Sequence, residues 1–537
     1  MSTNVAPAPT PHAAVGGFRQ ALSDGLVIGW RNLKRIPRIP ELAIFAVIQS
    51  IMFVFLFAFV FGGAVLLPGY SDPNAYREYL MPGIFAQTIA FASATTAIGM
   101  TDDMAKGIID RFRSLPMARS AVLTGRSFAD VIYNAGILVV LMVAGWFVGW
   151  TVRTDVLQFL AGDEGSADSA RWLEACSSSG VCVSACQYGV DPMFMMEMGR
   201  VSMLQRRGIK QVQADATRAF QGMAKSVRYM SRLFLTPEVF ERLDPRGSKL
   251  DAGETPEVIF YTGCNVLRTP HIALICLDIL DLLGIRYEVM GGPSHCCGAY
   301  QVREGDIGAA TGMAMNTIAK MVKSEAPEVI SWCPSCKLQF GSTHLPTYAA
   351  VHGEMPFDFT PFYRYLEARI DRLAPFMQNP VQRRVALDER AFDPGVNAAI
   401  RRILKLIPGL ELIELDVVHV GMMRNMIPLR SVKNSTREAA FKAATDAGVD
   451  TLATVYHACH REIVSYSETV SFEIVNAIEL IADCLGIKHQ DSFKEFQMVQ
   501  DVEKYIDDRA AQIEGHRVSI DELRVVVRKE FVVHRPV

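Results

Sequence analysis

Charge is scarce in this chain, and the common nucleotide-binding signatures are missing. Only 21% of the 537 residues are charged, the formal net charge is −3, and the isoelectric point is near 6.4. This balance offers no case for nucleic acid as a partner. The sequence has neither the Gly-rich P-loop of ATP-hydrolysing domains nor the Gly-x-Gly-x-x-Gly fingerprint of dinucleotide-binding domains. ATP hydrolysis or flavin-dependent electron delivery would therefore require other subunits.

Long stretches of the first 150 residues contain no charge at all. Leu42–Leu67 is uncharged over 26 residues, which is enough to span a bilayer with some tilt. Leu80–Met100 is also uncharged but contains several Thr and Ser residues, so we expect it to face other helices. Val131–Trp150 ends in aromatic residues of the kind that anchor at membrane interfaces. Three transmembrane helices are predicted, and Met1–Phe18 lacks the pattern of a signal peptide.

Basic residues predict the orientation of these helices. Four of them precede the first span and five lie in the loop after the second: Arg31, Lys34, Arg35 and Arg38, then Lys106, Arg111, Arg113, Arg119 and Arg126. Positively charged loops favour the cytoplasm, so we expect the N-terminus and this loop to lie on the cytoplasmic side of a bacterial inner membrane. The stretches Trp30–Pro37 and Gly107–Arg126 resemble type-2 ABC exporter permeases. The resemblance implies a coupling helix that meets an ATPase subunit, but it stops near Trp150, after three of six usual spans.

Five of the eleven cysteines are spaced as a metal site. Thirty-one residues separate Cys264 from the adjacent pair Cys296 and Cys297, 35 residues separate that pair from Cys333, and two residues separate Cys333 from Cys336. Thiolates suit iron–sulfur clusters, zinc or copper. Each cysteine group follows a short apolar run that predicts a buried parallel strand. Alternating strands and helices would place the thiols on loops where strand ends converge.

The pattern resembles the cysteine-rich CCG domain found in the B-type subunit of heterodisulfide reductase and in related iron–sulfur proteins. The segments Val258–Cys264 and Ile330–Cys336 carry the likeness. The resemblance implies that the five cysteines hold a non-cubane [4Fe–4S] cluster, at which an open iron helps to cleave or form a disulfide. The alternatives are a zinc site that uses four of the five thiols, or a set of buried free thiols. His295 is a candidate proton donor beside the cluster, or else a structural residue.

The remaining cysteines have weaker patterns. Cys276 and Cys484 lie on apolar helical faces and are expected to be buried hydrophobes. Three others stand in a run that resembles a bacterial ferredoxin motif and the small C-type subunit of heterodisulfide reductase, with Ser179 in place of the fourth thiol: Cys176, Cys182 and Cys186. This run predicts either a labile second iron–sulfur cluster or a metal-free loop.

An internal repeat suggests a second, decayed copy of the cysteine-rich domain. Leu280–Val289 matches Lys405–Glu414 at an offset of 125 residues. The same offset places Glu389 at the first cysteine position and Gly421-Met422 at the Cys-Cys pair. The segment Tyr456–His460 falls near the last pair, in an ambiguous register, so one thiol of five remains, Cys459. Cys459 with its neighbouring histidines could line a cleft, bind zinc or simply pack.

The fold class predicted is multidomain. It comprises a three-span membrane segment, a short helical ferredoxin-like region, an α/β cysteine-rich domain with a degenerate second copy, and a charged, solvated helical tail, with boundaries at residues 1–150, 151–250, 251–375, 376–490 and 491–537.

Three spans would leave the cysteines outside the cytoplasm, whereas clusters belong to a reducing compartment. A fusion or sequence-assembly error that joins a truncated permease to a cytoplasmic iron–sulfur protein is the favoured explanation. The alternatives are that the second segment does not span, or that the clusters are exported.

The predicted function is electron transfer coupled to making or breaking a sulfur–sulfur bond. The resemblance implies flavin and ferredoxin-like subunits as partners, together with membrane lipid. The first alternative is an ABC export permease component that works with an ATPase. The second is a membrane-anchored electron carrier to or from quinone.

Overall fold

The computed structural model describes the helix at residues 18–35, short pieces between residues 48 and 107, the helix at residues 121–147, and residues 165–186, 189–244 and 254–533. The chain divides into two compact units, Met1–Arg153 and Thr154–Val537.

In the first unit, two helices pack closely through glycines: α1, Phe18–Arg35, and α2, Ala121–Phe147. A Cβ atom at Gly125 would lie 2.4 Å from the Gly25 carbonyl oxygen and 3.0 Å from the Gly29 nitrogen. Small residues allow such a backbone approach and are typical of helix contacts in membranes. Among the described residues, Thr124–Phe147 is the segment long and apolar enough to cross a bilayer.

This helix overlaps the third predicted span, residues 131–150, but begins earlier and ends at Phe147. The first and second predicted spans, residues 42–67 and 80–100, lie mostly outside the described residues. The three-span arrangement and its orientation therefore stay predictions.

The second unit begins with helices, as the sequence indicates. Asp191 caps the third of these by accepting a hydrogen bond from the Phe194 N–H at 2.9 Å, and Pro192 follows at the first helical position. The helices before the first strand are α3, Ala167–Glu174; α4, Val181–Ser184; α5, Pro192–Gln205; α6, Ile209–Phe234; and α7, Pro237–Glu241.

The first sheet is parallel, with strand order β2-β1-β3-β4. All four residues of its β1 strand are buried, as expected for a strand covered by helices on both faces. The elements are β1, Val258–Tyr261; α8, Pro270–Leu282; β2, Tyr287–Met290; α9, Ala299–Arg303; α10, Ile307–Val322; β3, Glu328–Ser331; α11, Pro334–Gln339; α12, Leu345–His352; β4, Asp358–Pro361; α13, Phe362–Glu367; and α14, Ile370–Leu373.

The second sheet is also parallel and has the corresponding order, β6-β5-β7-β8. Its elements are β5, Arg383–Asp388; α15, Pro394–Leu404; β6, Leu410–Ile413; α16, Arg430–Asp446; β7, Thr451–Thr454; α17, His457–Ile463; β8, Glu473–Asn476; and α18, Ala477–Leu485. The central β7 strand is buried throughout.

The two sheets can be compared strand by strand. Counted from the first residue of each strand, the offsets are 383 − 258 = 125, 410 − 287 = 123 and 451 − 328 = 123. The predicted offset of 125 therefore fits the first strand of each sheet, and the duplication itself stays a prediction.

One hydrophobic core joins the helices of both sheets, and a second core lies under the C-terminal helices. Those helices are α19, Ser492–Met498; α20, Val502–Asp507; α21, Ala510–Gly515; and α22, Ile520–Val533. Phe493, Phe496 and Leu523 are fully buried there, against the end of α6. The prediction of a solvated tail is wrong, because the charged residues cover one face of helices whose other face is apolar and packed.

Candidate metal centre

The five predicted cysteines lie together at one edge of the first sheet. Cys264 follows β1, Cys296 and Cys297 follow β2, and Cys333 and Cys336 follow β3. Parallel strands place their carboxyl ends at the same edge, so residues far apart in sequence meet there. All five side chains are buried. The spacing alone thus identified a real spatial group.

Tight turns hold these thiols. Gly298 has φ +79°, and a Cβ atom on it would lie 2.6 Å from the Ala310 carbonyl oxygen of α10. The turn after Cys296 and Cys297 therefore packs directly against the backbone of α10. The Gly298 N–H also donates to the Cys296 sulfur at 3.4 Å, and Cys333 and Pro334 begin the short helix α11, which carries Cys336.

The thiols share protons with one another. Hydrogen bonds from Cys264 and Cys297 lower the pKa of Cys296 to about 4, and a hydrogen bond from Cys336 lowers the pKa of Cys333. The donors respond in the opposite sense: these bonds and burial raise the pKa of Cys264, Cys297 and Cys336 well above that of an ordinary thiol. Thiolates buried without a cation nearby are costly, so the donor set fits a soft metal or an iron–sulfur cluster.

A cavity of about 370 Å³ opens beside these cysteines. One wall carries four of the five thiols together with Asn265 and Ser335. The opposite wall comes from the second sheet and includes Phe392, Met422 and Cys459. A chamber of this volume is large enough for a small-molecule substrate.

Three arginines and three glutamates line this cavity, the latter being Glu197, Glu304 and Glu462, and no sequence motif predicts this charged lining. Arg200, Arg303 and Arg424 line it, and they come from different elements, so no local motif marks them. Burial, reinforced by Arg200 and Arg424, lowers the pKa of Arg303 to about 10. Burial, with two further arginines nearby, lowers the pKa of Arg461 to about 9, and its Nε and Nη1 atoms have no hydrogen-bond partner within the described residues. Such a group of guanidinium donors favours an anion.

His457 is buried near three arginines, Arg268, Arg424 and Arg461. Burial and neighbouring arginines hold its pKa well below the ordinary range, so the imidazole is neutral there. Its Nδ1 atom has no hydrogen-bond partner among the described residues, and the side chain lines the cavity. A neutral, unpartnered imidazole can accept or donate a hydrogen bond to a ligand.

The ferredoxin-like run packs against Gly421 and Met422, which follow β6. The proposed repeat aligns these two residues with Cys296 and Cys297. The Met422 N–H donates to the Ser177 carbonyl oxygen at 2.6 Å. A Cβ atom at Gly421 would lie 2.1 Å from that same oxygen. Cys176 lies close enough to Cys182 to raise its pKa, after the larger effect of burial. Cys182 is exposed, and Cys186, like Cys176, is partly exposed.

Two residues that the proposed repeat singles out follow strands of the second sheet. Glu389 comes directly after β5 and Cys459 lies in α17, after β7, and their correspondence to cysteines of the first sheet stays a prediction. The Cys459 sulfur accepts a hydrogen bond from Arg390 Nε at 3.0 Å. Arg390 also pairs with Asp388. A guanidinium thus lies beside the one thiol of this edge.

Two further predictions concern single side chains. The imidazole Nδ1 of His295 lies 2.9 Å from the Gly291 carbonyl oxygen, and this side chain is not among those that line the cavity. Its role as a proton donor stays a prediction. Cys276 and Cys484 are fully buried in the shared hydrophobic core, as expected for small apolar residues.

Comparison with known proteins finds a family match in each of two segments of the chain. Residues 258–341 match the family model of the cysteine-rich CCG domain, and residues 25–161 match that of ABC-2 type transporters. The chain carries both domains.

The most informative relatives fall into the same two groups. A subunit of the dihydromethanophenazine:CoB–CoM heterodisulfide reductase of Methanosarcina acetivorans is 22% identical over 334 residues, which is 59% of this chain and 78% of the relative. A subunit of the fumarate reductase (CoM/CoB) of Methanothermobacter marburgensis is 25% identical over 252 residues, 45% of this chain and 46% of the relative. The daunorubicin resistance ABC transporter permease DrrB1 of Streptomyces coeruleorubidus is 28% identical over 130 residues, 24% of this chain and 44% of the relative.

These likenesses associate the CCG domain with iron–sulfur reductases and the N-terminal unit with membrane transporters. The CCG domain and its reductase relatives support an iron–sulfur, oxidoreductase-like role, and the ABC-2 match supports a membrane location. Both groups of relatives are subunits of larger assemblies, which implies multi-subunit partners.

Proposed function

We propose that this chain is a heterodisulfide-reductase-like electron-transfer subunit that makes or breaks a sulfur–sulfur bond in the cavity beside its CCG cysteines. The observation that carries the proposal is the set of five buried thiols from three strand ends, four of which line a chamber that also contains three arginines and three glutamates. A purely structural metal site would not need such a chamber. A substrate site does.

In this proposal the five cysteines hold one non-cubane [4Fe–4S] cluster: Cys264, Cys296, Cys297, Cys333 and Cys336. When bound, that cluster supplies single electrons and an open iron for the sulfur substrate. The protein's own residues orient the substrate. Arg303 and Arg424 bind its anionic groups, and Met422 and Phe392 cover its apolar part. Tetrahedral zinc on four of the thiols is the competing assignment.

The substrate is proposed to be a small anionic disulfide. The relative from Methanosarcina is named for a reductase of the CoB–CoM heterodisulfide. Independently of that name, Arg200 Nε and the Nε and Nη1 atoms of Arg461 have no hydrogen-bond acceptor among the described residues, and carboxylate, sulfonate or phosphate groups would supply one.

We propose that the second sheet descends from a duplication of the first and has lost its cluster. The matching strand orders support this idea, as does the loss of four of the five thiols at the equivalent positions. Arg390 then supplies, beside Cys459, the positive charge that a metal would otherwise provide. The second half keeps its role as the far wall of the substrate chamber.

Electrons would reach the site from flavin and ferredoxin-like subunits. The exposed Cys182, with Cys176 and Cys186, forms the proposed docking point and second cluster. We place this part of the chain in the cytoplasm, attached to a multi-pass membrane segment.

Metal analysis of the full chain, purified anaerobically in detergent, tests the proposal. We expect about four irons with acid-labile sulfide from the CCG cluster and further iron from the second cluster, an EPR signal on partial reduction, and reduction of an anionic disulfide with reduced viologen as donor. Cys297→Ser should abolish the signal and the activity. The matched control is Cys276→Ser, which changes a buried thiol outside the cavity and should keep both.

Zinc in place of iron, or an unchanged iron signal in Cys297→Ser, would refute the assignment. The triple serine variant at residues 176, 182 and 186 tests the second cluster. It should lose only the iron in excess of the first four atoms and should slow electron entry from a ferredoxin.

The match to ABC-2 type transporters supports a second candidate function, an export permease component that works with an ATPase subunit. Co-expression with a matched ATPase subunit should then yield a stable complex in detergent. If no such complex forms while iron is retained, the N-terminal unit acts as an anchor. Electron exchange with added quinone would instead favour a membrane-bound carrier.

A further inference from the structure

Four titratable side chains form a buried cluster apart from the cysteine site: His271, His460, Glu479 and Asp491. One nitrogen or oxygen from each lies within 4.8 Å of the others. Both histidines are essentially inaccessible to solvent, at 1% and 0% exposure. The four residues come from α8, α17, α18 and the start of α19, so they join both sheets to the C-terminal helices.

Backbone groups fix both carboxylates in place. Asp491 Oδ1 caps α19 by accepting hydrogen bonds from the N–H groups of Phe493 and Lys494, at 3.1 and 2.9 Å. Glu479 Oε1 accepts a hydrogen bond from the Asn476 N–H at 2.6 Å, within a capping box. The carboxylates therefore cannot swing away, and they present their remaining lone pairs inward.

His271 is buried between these carboxylates without a hydrogen bond. Its Nε2 atom is 3.6 Å from Glu479 Oε1, and its Nδ1 atom is 3.4 Å from Asp491 Oδ1. Neither ring nitrogen has a hydrogen-bond partner within the described residues. A fully buried imidazole without partners needs an explanation, and an unseen ion is one.

His460 is oriented as a metal ligand would be. The Thr454 hydroxyl lies 3.1 Å from the Val475 carbonyl oxygen, to which it donates its one proton. The His460 Nδ1 atom, 3.3 Å from that hydroxyl, then donates to it. This leaves Nε2 facing Asp491 Oδ2 at 2.6 Å. Metal-bound histidines typically donate their other ring N–H in this way.

Charge and distance both favour a divalent ion. As metal ligands, which bind as ionised carboxylates and neutral imidazoles, the four side chains would carry a charge of −2, and Lys494 is engaged with Glu473 at 3.0 Å. With bonds of about 2.1 Å, the edge of a tetrahedral zinc site is about 3.4 Å. The 3.6 Å contact of His271 with Glu479 Oε1 is close to that edge, and the 2.6 Å contact of His460 with Asp491 Oδ2 would open by about 0.8 Å.

We propose that His271, His460, Glu479 and Asp491 bind one zinc ion, which ties the two sheets to the C-terminal helices. Nitrogen and oxygen donors suit zinc, and four protein ligands with no open position are typical of a structural site. This site is independent of the cysteine cluster and of its redox activity.

Elemental analysis and cobalt substitution of the full chain test the proposal. We expect one zinc per chain in addition to iron, retained when Cys297→Ser removes the iron. Cobalt in its place should show visible d–d bands without the intense thiolate-to-cobalt charge transfer that a cysteine ligand produces. This measurement needs no variant of the four residues.

Two conservative changes remove ligands while keeping the helix caps: Glu479→Gln and Asp491→Asn, since both new side chains are good capping groups. The double variant should lose the zinc. The matched control is Asp501→Asn, which alters the cap of α20 in the same way and should keep it. If the wild type takes up no zinc, if the double variant keeps it, or if cobalt shows thiolate charge transfer, the cluster is a protonated histidine–carboxylate network and the proposal is wrong.

Discussion

The glycine after the Cys-Cys pair should be indispensable, and its replacement gives a quantitative test of how the cysteine turn is built. Gly298 has a positive φ, at which an alanine costs about 1–2 kcal/mol. Its Cβ would also lie 2.6 to 3.0 Å from three backbone atoms of Ala310 in α10. Overpacking of this kind costs about 1–3 kcal/mol. Gly298→Ala should therefore lower the free energy of unfolding by about 2–5 kcal/mol.

Gly284→Ala is the matched control, since Gly284 has φ +62° and a Cβ atom added there would meet nothing within 4 Å. It should cost about 1–2 kcal/mol. Urea titrations of both variants in detergent, with iron analysis of each, measure the difference. We expect Gly298→Ala to be about 1–3 kcal/mol less stable than the control and to lose iron. Equal stabilities with full iron content would show that the turn tolerates a side chain and that the close contact with α10 is unimportant.

Three further predictions concern other parts of the chain. Gly125→Leu should separate α1 from α2 and lower the thermal stability of the membrane unit in detergent, whereas Gly136→Leu, on an open face of the same helix, should not. Arg390→Met leaves Asp388 without its buried partner and should cost about 3–5 kcal/mol in a urea titration; a loss under about 1 kcal/mol would contradict the pairing. Burial raises the pKa of Asp278, but hydrogen bonds from a histidine and an arginine lower it more, so its folded-state value is depressed. The ionised Asp278 carboxylate therefore stabilises the folded protein above its unfolded-state pKa, and this stabilisation is lost as the pH falls through its folded-state pKa. Asp278→Asn should destabilise the protein at neutral pH and match the wild type in acid.

The cysteine site was accessible from sequence because its signals are local. Each thiol group directly follows an apolar strand, as with Val258–Tyr261 and Cys264, and parallel strands end at a common edge. The repeat was inferred from the match of Leu280–Val289 with Lys405–Glu414. The two parallel sheets have corresponding strand orders, but the duplication and the alignment of Glu389 stay predictions.

Features that depend on several distant elements could not be predicted. Arg200, Arg303 and Arg424 meet only when three helical segments surround the cavity. His271 and Asp491 are 220 residues apart, and neither stands in a metal-ligand spacing. The burial of the tail was missed because its many charged residues conceal an apolar face, which becomes evident only when α6 packs against it.

The helix α6 has a mechanical consequence for the whole second unit. Met223 and Val227 belong to the core shared by both sheets, and Leu233 and Phe234 belong to the core beneath the C-terminal helices. Arg268, four residues after the first cluster cysteine, also pairs with Glu530 of the final helix at 2.9 Å. Because α6 packs into both hydrophobic cores and Arg268 pairs with Glu530, a hinge motion between the two sheets would have to break these contacts. Loss of the last helix should therefore loosen the cysteine pocket, and protease should digest the unit all at once rather than release either half.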